Sequence, residues 1–294
     1  MKKCKSMMAL LIVCGMLAGC GSTEKESIVV GSKDFQEQEI LGSMMELLIE
    51  AHTDLAVIRR GNMASHVIFA AITNDAVDVY MDYTGTVYGY YLDHSFDEKS
   101  AEEIYELSAS ELMEKYDLRM LGMPGFNNTF CLAVRSETAA EYGLKTFSDL
   151  ANVSSDFIFG GSTEIANRND GLPNLKRLYD MSFKEEREIH NESRYLAIAN
   201  DEIQVAEAFA TDGLLMEHDL VVLEDDKYFF PPYHGTIIIR EEIIKKHPEL
   251  SDVLGVLIGA ISDDTMRNLN YRVAVYEESP RDVAESFLRE NNFI

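Results

Sequence analysis

The chain has 294 residues, of which 46% are apolar and 26% charged, and this is enough apolar material for a sizeable core. With 18 Gly and 6 Pro, the composition is neither that of a disordered nor that of a fibrous protein. The 26 Lys and Arg face 51 Asp and Glu, which gives a formal net charge of -25. Because nucleic-acid binding needs a basic surface, this balance argues against nucleic acid as a partner.

The first 20 residues differ from the rest of the chain. Lysines near the start precede an apolar run over 7–17, which is too short for a permanent membrane span and is typical of a signal peptide. The run ends in Leu17-Ala18-Gly19-Cys20, which is similar to the lipobox of bacterial lipoproteins. We therefore expect a signal peptide over 1–19 and a lipidated tether over 20–27, beginning at Cys20. The alternative is an ordinary signal peptide with an incidental cysteine.

Later segments indicate how the protein is attached to the membrane. No later run approaches 18 apolar residues, so we expect a lipid anchor alone to hold the protein on the extracytoplasmic face of the cell membrane.

Of the four cysteines, two fall in the expected signal peptide and one would carry lipid. Cys131 then stands alone in an apolar run, and we expect it to be buried and inert.

Apolar runs typical of strands alternate with helical patterns along the chain. The strand-like runs lie at 28–30, 55–58, 77–81, 130–134, 157–159, 220–223 and 236–239. Helical spacing is clearest over 36–51, 64–73 and 100–116. This alternation predicts an α/β fold with mainly parallel sheets. Capping signals at three helix starts are Asp34 with Glu37, Ser100 with Glu103, and Ser279 before Pro280.

Two segments, 123–128 (MPGFNN) and 227–232 (KYFFPP), resemble passages between lobes, since each leads into a strand-like run. Two such crossings would make the N-terminal lobe discontinuous. Periodicity alone does not establish this division.

The sequence contains no constellation typical of an enzyme. The motifs GxSxG, HExxH, GxxxxGK[ST] and CxxC do not occur, and none of the seven histidines pairs with another at helical spacing. Acidic pairs such as Glu185-Glu186 look like solvated surface. We therefore expect no catalytic site, no metal and no cofactor. An exported, lipid-anchored α/β protein of this kind is most often a binding protein.

The chain has 14 Tyr, 14 Phe and no Trp. Several of these aromatic residues lie beside turn residues. The segments concerned are GSKDF (31–35) followed by Glu37-Gln38, DVYMDYTGT (78–86), GFNNTF (125–130), NRNDG (167–171), AFATDG (208–213) and FFPPY (229–233). In this order they resemble the substrate-binding proteins of ABC importers for glycine betaine, carnitine, choline and related osmoprotectants. The resemblance covers nearly the whole chain after the signal peptide.

This resemblance implies a two-lobed periplasmic-binding-protein fold of type II topology, an α/β class, with ligand in the cleft between the lobes. Lobe I would comprise 28–127 plus 233–294, and lobe II would comprise 128–232. It also implies an aromatic box around a quaternary ammonium group, formed by Tyr83, Phe130, Phe209 and Tyr233. Lys33, Thr86 and Arg168 would hold a ligand carboxylate.

Members of the family often have Tyr at all four box positions, so Phe130 and Phe209 keep the ring face and lose a hydroxyl. The exact ligand therefore stays open. Phe209 has an alternative interpretation, as the apolar face of a helix over 202–210. Gln38 either approaches the ligand or faces solvent, and Phe229 and Phe230 fit packing better than box walls.

The box suits its ligand because a trimethylammonium group has no N–H to donate, whereas ring faces attract it. The sequence thus predicts a lipid-anchored receptor that captures a betaine such as glycine betaine, carnitine or proline betaine. It would deliver this ligand to an ABC permease and its ATPase. The alternatives are a choline or ergothioneine receptor of the same family and, more distantly, an exported lipoprotein enzyme acting on small amines or a structural surface lipoprotein.

Overall fold

The computed structural model describes residues 25–96, 99–167, 171–189 and 193–294, without the side chains of residues 164 and 167. The predicted signal peptide, Cys20 and Arg168 lie outside the described residues. The strands of the described part are β1 (Ser27–Lys33), β2 (Ala56–Met63), β3 (Val79–Tyr83), β4 (Leu118–Met120), β5 (Phe130–Arg135), β6 (Ile158–Gly161), β7 (Glu185–Glu188), β8 (Val205–Phe209), β9 (Leu220–Val222) and β10 (Gly235–Arg240).

Helices connect most of these strands. They are α1 (Gln36–His52), α2 (Ser65–Thr73), α3 (Ala101–Tyr116), α4 (Ser136–Tyr142), α5 (Phe147–Ala151), α6 (Thr163–Asn167), α7 (Leu172–Tyr179), α8 (Ser193–Ala199), α9 (Leu214–Glu217), α10 (Glu241–Lys246), α11 (Leu250–Gly255), α12 (Asp263–Ala274) and α13 (Pro280–Glu290). A π-helical turn covers Thr86–Tyr91, and a 3-10 turn covers Ser154–Asp156. None of the described helices combines the length and the apolar character that a membrane crossing requires.

The strands form two five-stranded sheets, in the orders β2-β1-β3-β10-β4 and β7-β6-β8-β5-β9. Each sheet is mixed, because β10 in the first and β5 in the second run antiparallel to both of their neighbours. The expectation of mainly parallel sheets is therefore only half right. β10 and β5 each follow a crossing from one sheet to the other, and they enter their sheets in the opposite direction to the strands already there.

Each sheet has its own apolar core. All five residues of β3 are buried, and the long helix α1 packs with α12 and α13 over one face of the first sheet. A separate core of the second sheet includes Phe147, Phe159 and Leu175. A further cluster of the first sheet contains Val77 and Tyr80. Burial in these cores accounts for why the predicted runs at 77–81 and 157–159 fold as strands, since both are apolar segments.

Several local predictions are confirmed and two are wrong. The capping box at Ser100 and Glu103 and the Ser279 cap are present. The capping box at Asp34 and Glu37 is wrong, because α1 begins after Phe35 and no side chain caps it. The alternative helix over 202–210 is wrong as well, since that segment contains strand β8. Strands β4, β7 and β8 were not among the predicted runs.

The two crossing segments run side by side between the sheets. Asn127 and His234 form an isolated antiparallel bridge, and the Asn128 N–H donates to the Tyr233 carbonyl at 3.0 Å. The Tyr233 N–H donates to Asn127 Oδ1 at 2.7 Å, and Thr129 Oγ1 donates to the Pro231 carbonyl at 2.9 Å. These bonds hold the two connections together next to the space that separates the sheets.

Candidate ligand-binding cleft

A cleft of about 1430 Å³ lies between the two sheets, and both sheets contribute to its lining. The start of α1, the end of β3 and the π-helical turn line one side, while the starts of β5 and α8 and the end of β8 line the other. Of the seven predicted ligand-binding residues, the lining contains Lys33, Tyr83, Thr86, Phe130, Phe209 and Tyr233. Arg168 is the seventh, outside the described residues.

The ring of Tyr83 is fixed from several directions. Its hydroxyl donates to Glu37 Oε1 at 2.7 Å and accepts from Gln38 Nε2 at 3.1 Å. Phe35 stacks with the ring at a centroid distance of 6.3 Å, and Phe126 meets it edge-on at 6.4 Å. Tyr83 is therefore a preorganised ring at the end of a buried strand, and Gln38 faces this ring instead of solvent.

Phe130 and Phe209 form a paired wall on the opposite side of the cleft. They lie directly across from each other in the β5–β8 ladder, with ring centroids 4.8 Å apart. Phe230 packs behind Phe130 at 5.8 Å, and it belongs to the core of the second sheet, as expected. Phe229, in contrast, lines the cleft.

Tyr233 reaches the cleft from the second crossing segment. Its ring lies against Gly85, where an added Cβ would come within 2.8 Å of the Tyr233 atoms Cδ1 and Cε1. Only glycine leaves room for this approach. Because Gly85 lies two residues after Tyr83, the close approach brings the Tyr233 ring to the same end of β3.

Lys33 is buried, and its ammonium group forms an ion pair with Asp82. Asp82 also accepts from the hydroxyls of Tyr80 at 2.8 Å and Tyr91 at 2.9 Å. Burial raises the pKa of both tyrosines most, and the negative charge of Asp82 raises it further. Each hydroxyl therefore stays protonated and donates to Asp82. The Lys33 ammonium lies 5.0 Å from the Tyr83 ring centroid. Its charge is thus compensated within the protein, although an ammonium group has three donors.

Sequence reasoning missed Glu37 as a cleft residue. Glu37 is 3% exposed, and its carboxylate accepts hydrogen bonds from the Tyr83 hydroxyl, Asn128 Nδ2, Thr211 Oγ1 and Asn270 Nδ2. Burial raises the pKa of Glu37, and the hydrogen bonds oppose this effect. The available signal was its place two residues after GSKDF in the first aromatic segment.

Arg194 and Asp212 were missed as well, and both line the cleft beside Phe209. Arg194 is buried, and its guanidinium lies 6.0 Å from the Phe209 ring centroid and 3.8 Å from Asp212 Oδ2. Asp212 also accepts from the Phe209 N–H at 3.3 Å and from the Tyr195 hydroxyl. Asp212 belongs to the AFATDG segment, whereas nothing in the sequence around Arg194 indicated a site.

The described part of the chain offers binding groups in this cleft without a metal cluster. No set of three or more His, Cys, Asp and Glu in the described ranges is placed to hold a metal ion. Cys131 is buried as expected, and burial raises the pKa of its thiol. The cleft combines aromatic faces with charged groups at its margins, which is a chemistry for binding an organic ion.

Comparison with known proteins agrees with this geometry. The model of the family "Substrate binding domain of ABC-type glycine betaine transport system" matches residues 26–290. The chain belongs to this family. A solved structure described as a glycine betaine/carnitine/choline ABC transporter is 30% identical, covers 90% of this chain and 99% of its own, and superposes with a TM-score of 0.87.

Two relatives show how the family likeness extends. The carnitine transport binding protein OpuCC of Listeria monocytogenes is 32% identical over 94% of this chain and 91% of the relative. The ergothioneine transport permease/ergothioneine binding protein EgtU of Helicobacter pylori is 37% identical over 90% of this chain. The chain spans about half of that relative, 48% of its length.

These likenesses confirm the predicted family and the predicted α/β fold, a two-lobed periplasmic-binding-protein fold of type II topology. They also confirm the predicted class of function, a substrate-binding receptor of ABC transporters.

Proposed function

We propose that this protein is an extracytoplasmic receptor that binds a betaine-type quaternary ammonium compound in the cleft and delivers it to an ABC import permease. Candidate ligands are glycine betaine, carnitine and proline betaine. The observation that carries the proposal is that four aromatic side chains line one cleft, two from each side. Tyr83 and Tyr233 stand at the first sheet, and Phe130 and Phe209 at the second.

The physical case rests on what each group can recognise. Ring faces hold a quaternary ammonium group at roughly 0.5–2 kcal/mol each when desolvated. Several such faces and a second anchor support binding in the micromolar range. For that anchor we propose Lys33, Thr86 and Arg168. Lys33 and Thr86 would donate hydrogen bonds to the ligand carboxylate, and Arg168 would add its charge.

The ligand would also join the two halves of the molecule. We assign lobe I to 28–127 plus 233–294 and lobe II to 128–232, with the boundaries in the paired crossing segments. A ligand that touches rings of both lobes favours the closed arrangement over the open one. Closure would then create the surface that the permease recognises.

The proposed setting is the outer face of the cell membrane. Removal of 1–19 and lipidation of Cys20 would leave the receptor anchored by lipid, near its permease and the ATPase that drives import. Metabolic labelling with a clickable fatty acid tests this anchor. Label incorporation into the wild type and its loss in Cys20→Ala are expected, and equal labelling would refute it.

Ergothioneine is a second candidate ligand, favoured by the 37% identity to EgtU and by the size of the cleft. Sites for drug-sized molecules usually measure about 300–1,000 Å³. At about 1430 Å³, this cleft has room for a betaine that carries a ring. The side chains beyond the box, Tyr90 and His94 among them, would surround that additional ring.

Isothermal titration calorimetry with glycine betaine, carnitine, proline betaine, choline and ergothioneine tests the proposal. At least one should bind with micromolar affinity, and failure of all quaternary ammonium compounds would refute the ligand class. Mass spectrometry of the ligand after incubation should return it unchanged, whereas a product would favour the enzyme alternative.

A ring variant with a matched control tests the site itself. Tyr233→Leu removes a cleft ring and should weaken binding by about 2-fold to 30-fold, the equivalent of one cation–π face. Tyr276→Leu removes a ring that is 63% exposed and lies outside the cleft lining, and it should bind like the wild type. Equal affinity of both variants would argue against the proposed box.

A further inference from the structure

Glu37 is a buried acid in the cleft lining that has no cationic partner among the described residues. Its carboxylate contacts a phenol, two amides and a hydroxyl. The lysine and the arginine of the described lining face other acids, Lys33 with Asp82 and Arg194 with Asp212. The described part of the cleft therefore contains one negative charge beyond those that pair within it.

The hydrogen bonds around Glu37 fit its ionised form. Oε1 accepts from Tyr83 at 2.7 Å and from Asn128 at 3.0 Å, and Oε2 accepts from Thr211 at 2.6 Å and from Asn270 at 2.8 Å. A carboxylate can accept all four bonds, whereas the neutral acid would bring a fifth proton among four donors. Such bonds stabilise the charged form against the cost of burial.

We infer that the Glu37 carboxylate supplies the negative charge that selects a cationic head group in this cleft. The inference rests on the proposed function. Glu37 acts as a positioning residue through Tyr83, whose hydroxyl donates to it and whose ring faces the cleft. This bond also polarises the phenol and increases the electron density of the ring. A ligand cation at the Tyr83 ring would lie about one ring's length from the Glu37 carboxylate. The electrostatic attraction between these two charges would raise the affinity by on the order of 10-fold to 100-fold.

The same contacts would also serve a latch that holds the two halves of the molecule together. Tyr83 lies in β3 of the first sheet and Asn270 in α12, which packs over that sheet. Thr211 lies two residues after the end of β8 in the second sheet. A latch would depend on the hydrogen bonds and would ignore the charge of the ligand. The two roles separate when a bond is removed and the charge is kept.

Three variants and two ligands provide the test. Glu37→Gln removes the charge and keeps the shape, whereas Thr211→Val removes one hydrogen bond and keeps the charge. Glu39→Gln, on the same helix, removes a partly exposed charge that faces Arg59 and Ser32. Calorimetric affinities for glycine betaine and choline are measured for each variant, with melting temperatures to verify folding.

If the charge acts as inferred, Glu37→Gln loses about 10-fold or more in affinity for either ligand, and the other two variants stay within about 3-fold of the wild type. Equal losses in Glu37→Gln and Thr211→Val would establish a latch and overturn the inference. Unchanged affinity in Glu37→Gln would overturn it as well.

A measurement on the wild type keeps the inference falsifiable if Glu37→Gln does not fold. In tert-butylacetate a carbon atom replaces the ammonium nitrogen of glycine betaine, so its shape is retained and its positive charge is lost. It should bind about 10-fold or more weakly than glycine betaine, and equal affinity would overturn the inference. Absence of binding of every quaternary ammonium compound to the wild type would instead overturn the proposed function.

Discussion

The hydroxyl of Tyr83 holds its ring in the cleft through Glu37 and Gln38. Tyr83→Phe keeps the ring and leaves a buried acceptor and a buried donor without this partner. We expect it to lower the free energy of unfolding by about 1–3 kcal/mol in urea titrations. Tyr105→Phe is the control, because its hydroxyl makes one bond, to the Met120 carbonyl at 3.2 Å. Its cost should be smaller, and an equal cost would contradict the special role of the Tyr83 hydroxyl.

The pKa of Glu37 gives a second prediction for a single residue. Burial raises this pKa above its ordinary value of 4.5, so the folded protein holds a proton on Glu37 more strongly than the unfolded chain does. The resulting stability is present below the unfolded pKa and is lost as the pH rises through the folded pKa. Relative to the wild type, Glu37→Gln should therefore gain stability as the pH rises from below 4.5 through the raised folded pKa of Glu37, as measured by urea titrations at a series of pH values. A difference in stability that stays constant with pH would contradict this.

Individual residues show how far the sequence could predict the site. Tyr83, Phe130, Phe209 and Tyr233 could be proposed because the ordered aromatic segments resemble a known family, and this resemblance implies a ring at each of these positions. The sequence pattern places Glu37 in a capping box, because it is an acid three residues after Asp34. The same spacing would occur if Glu37 faced a cleft instead. The three-dimensional contact with Thr211 and Asn270 decides between these, and sequence spacing does not contain it.

At the scale of elements, α12 holds the segment that follows β8. Arg267 donates to the Ala210 carbonyl at 2.8 Å and 3.1 Å, and Asn270 donates to the Thr211 carbonyl at 2.8 Å. Gly213 lies so close to the α12 backbone that a Cβ there would overlap the Tyr271 backbone. These contacts between α12 and residues 210–213, called the seam below, connect the two sheets beside the cleft.

A pair of glycine variants tests the seam. Gly213→Ala should force α12 away, lower the free energy of unfolding by about 1–3 kcal/mol and weaken ligand binding. Gly255→Ala is the control, because its Cβ would meet open space at the end of α11, and it should be neutral or stabilising by up to about 1 kcal/mol. Thermal unfolding and calorimetry measure both effects. If Gly213→Ala matches the control, close packing at this position is unimportant.

Predictability varied among the elements for physical reasons. Helix α3 was clear from its apolar spacing and its capping box. Strand β7 consists of charged residues, which gives a sequence pattern of exposed surface although its backbone pairs with β6. Strand β8, with the sequence VAEAF, is short enough to fit a helical or an extended pattern, and its pairing with β5 and β6 decides the outcome.

For the whole molecule, the decisive feature is that the chain crosses twice between two sheets. The proline and aromatic segments at 123–128 and 227–232 pointed to such crossings, and their side-by-side pairing places a potential hinge next to the cleft. The direction of β5 and β10 within their sheets follows from the crossings and could not be predicted from apolar patterns, because parallel and antiparallel strands bury similar residues.

This arrangement leads to a prediction about shape. A betaine that contacts Tyr83 and Tyr233 on one side and Phe130 and Phe209 on the other stabilises whichever arrangement keeps both sides near it. Small-angle X-ray scattering should therefore show a smaller radius of gyration with saturating glycine betaine than without it. Phe209→Ala removes a wall of the second sheet and should shift this compaction to higher ligand concentration, while Tyr276→Leu should leave it unchanged. Identical scattering curves with and without a ligand that calorimetry shows to be bound would mean that the two halves do not move on binding. The rings would then form a rigid box, and the seam at α12 would serve stability alone.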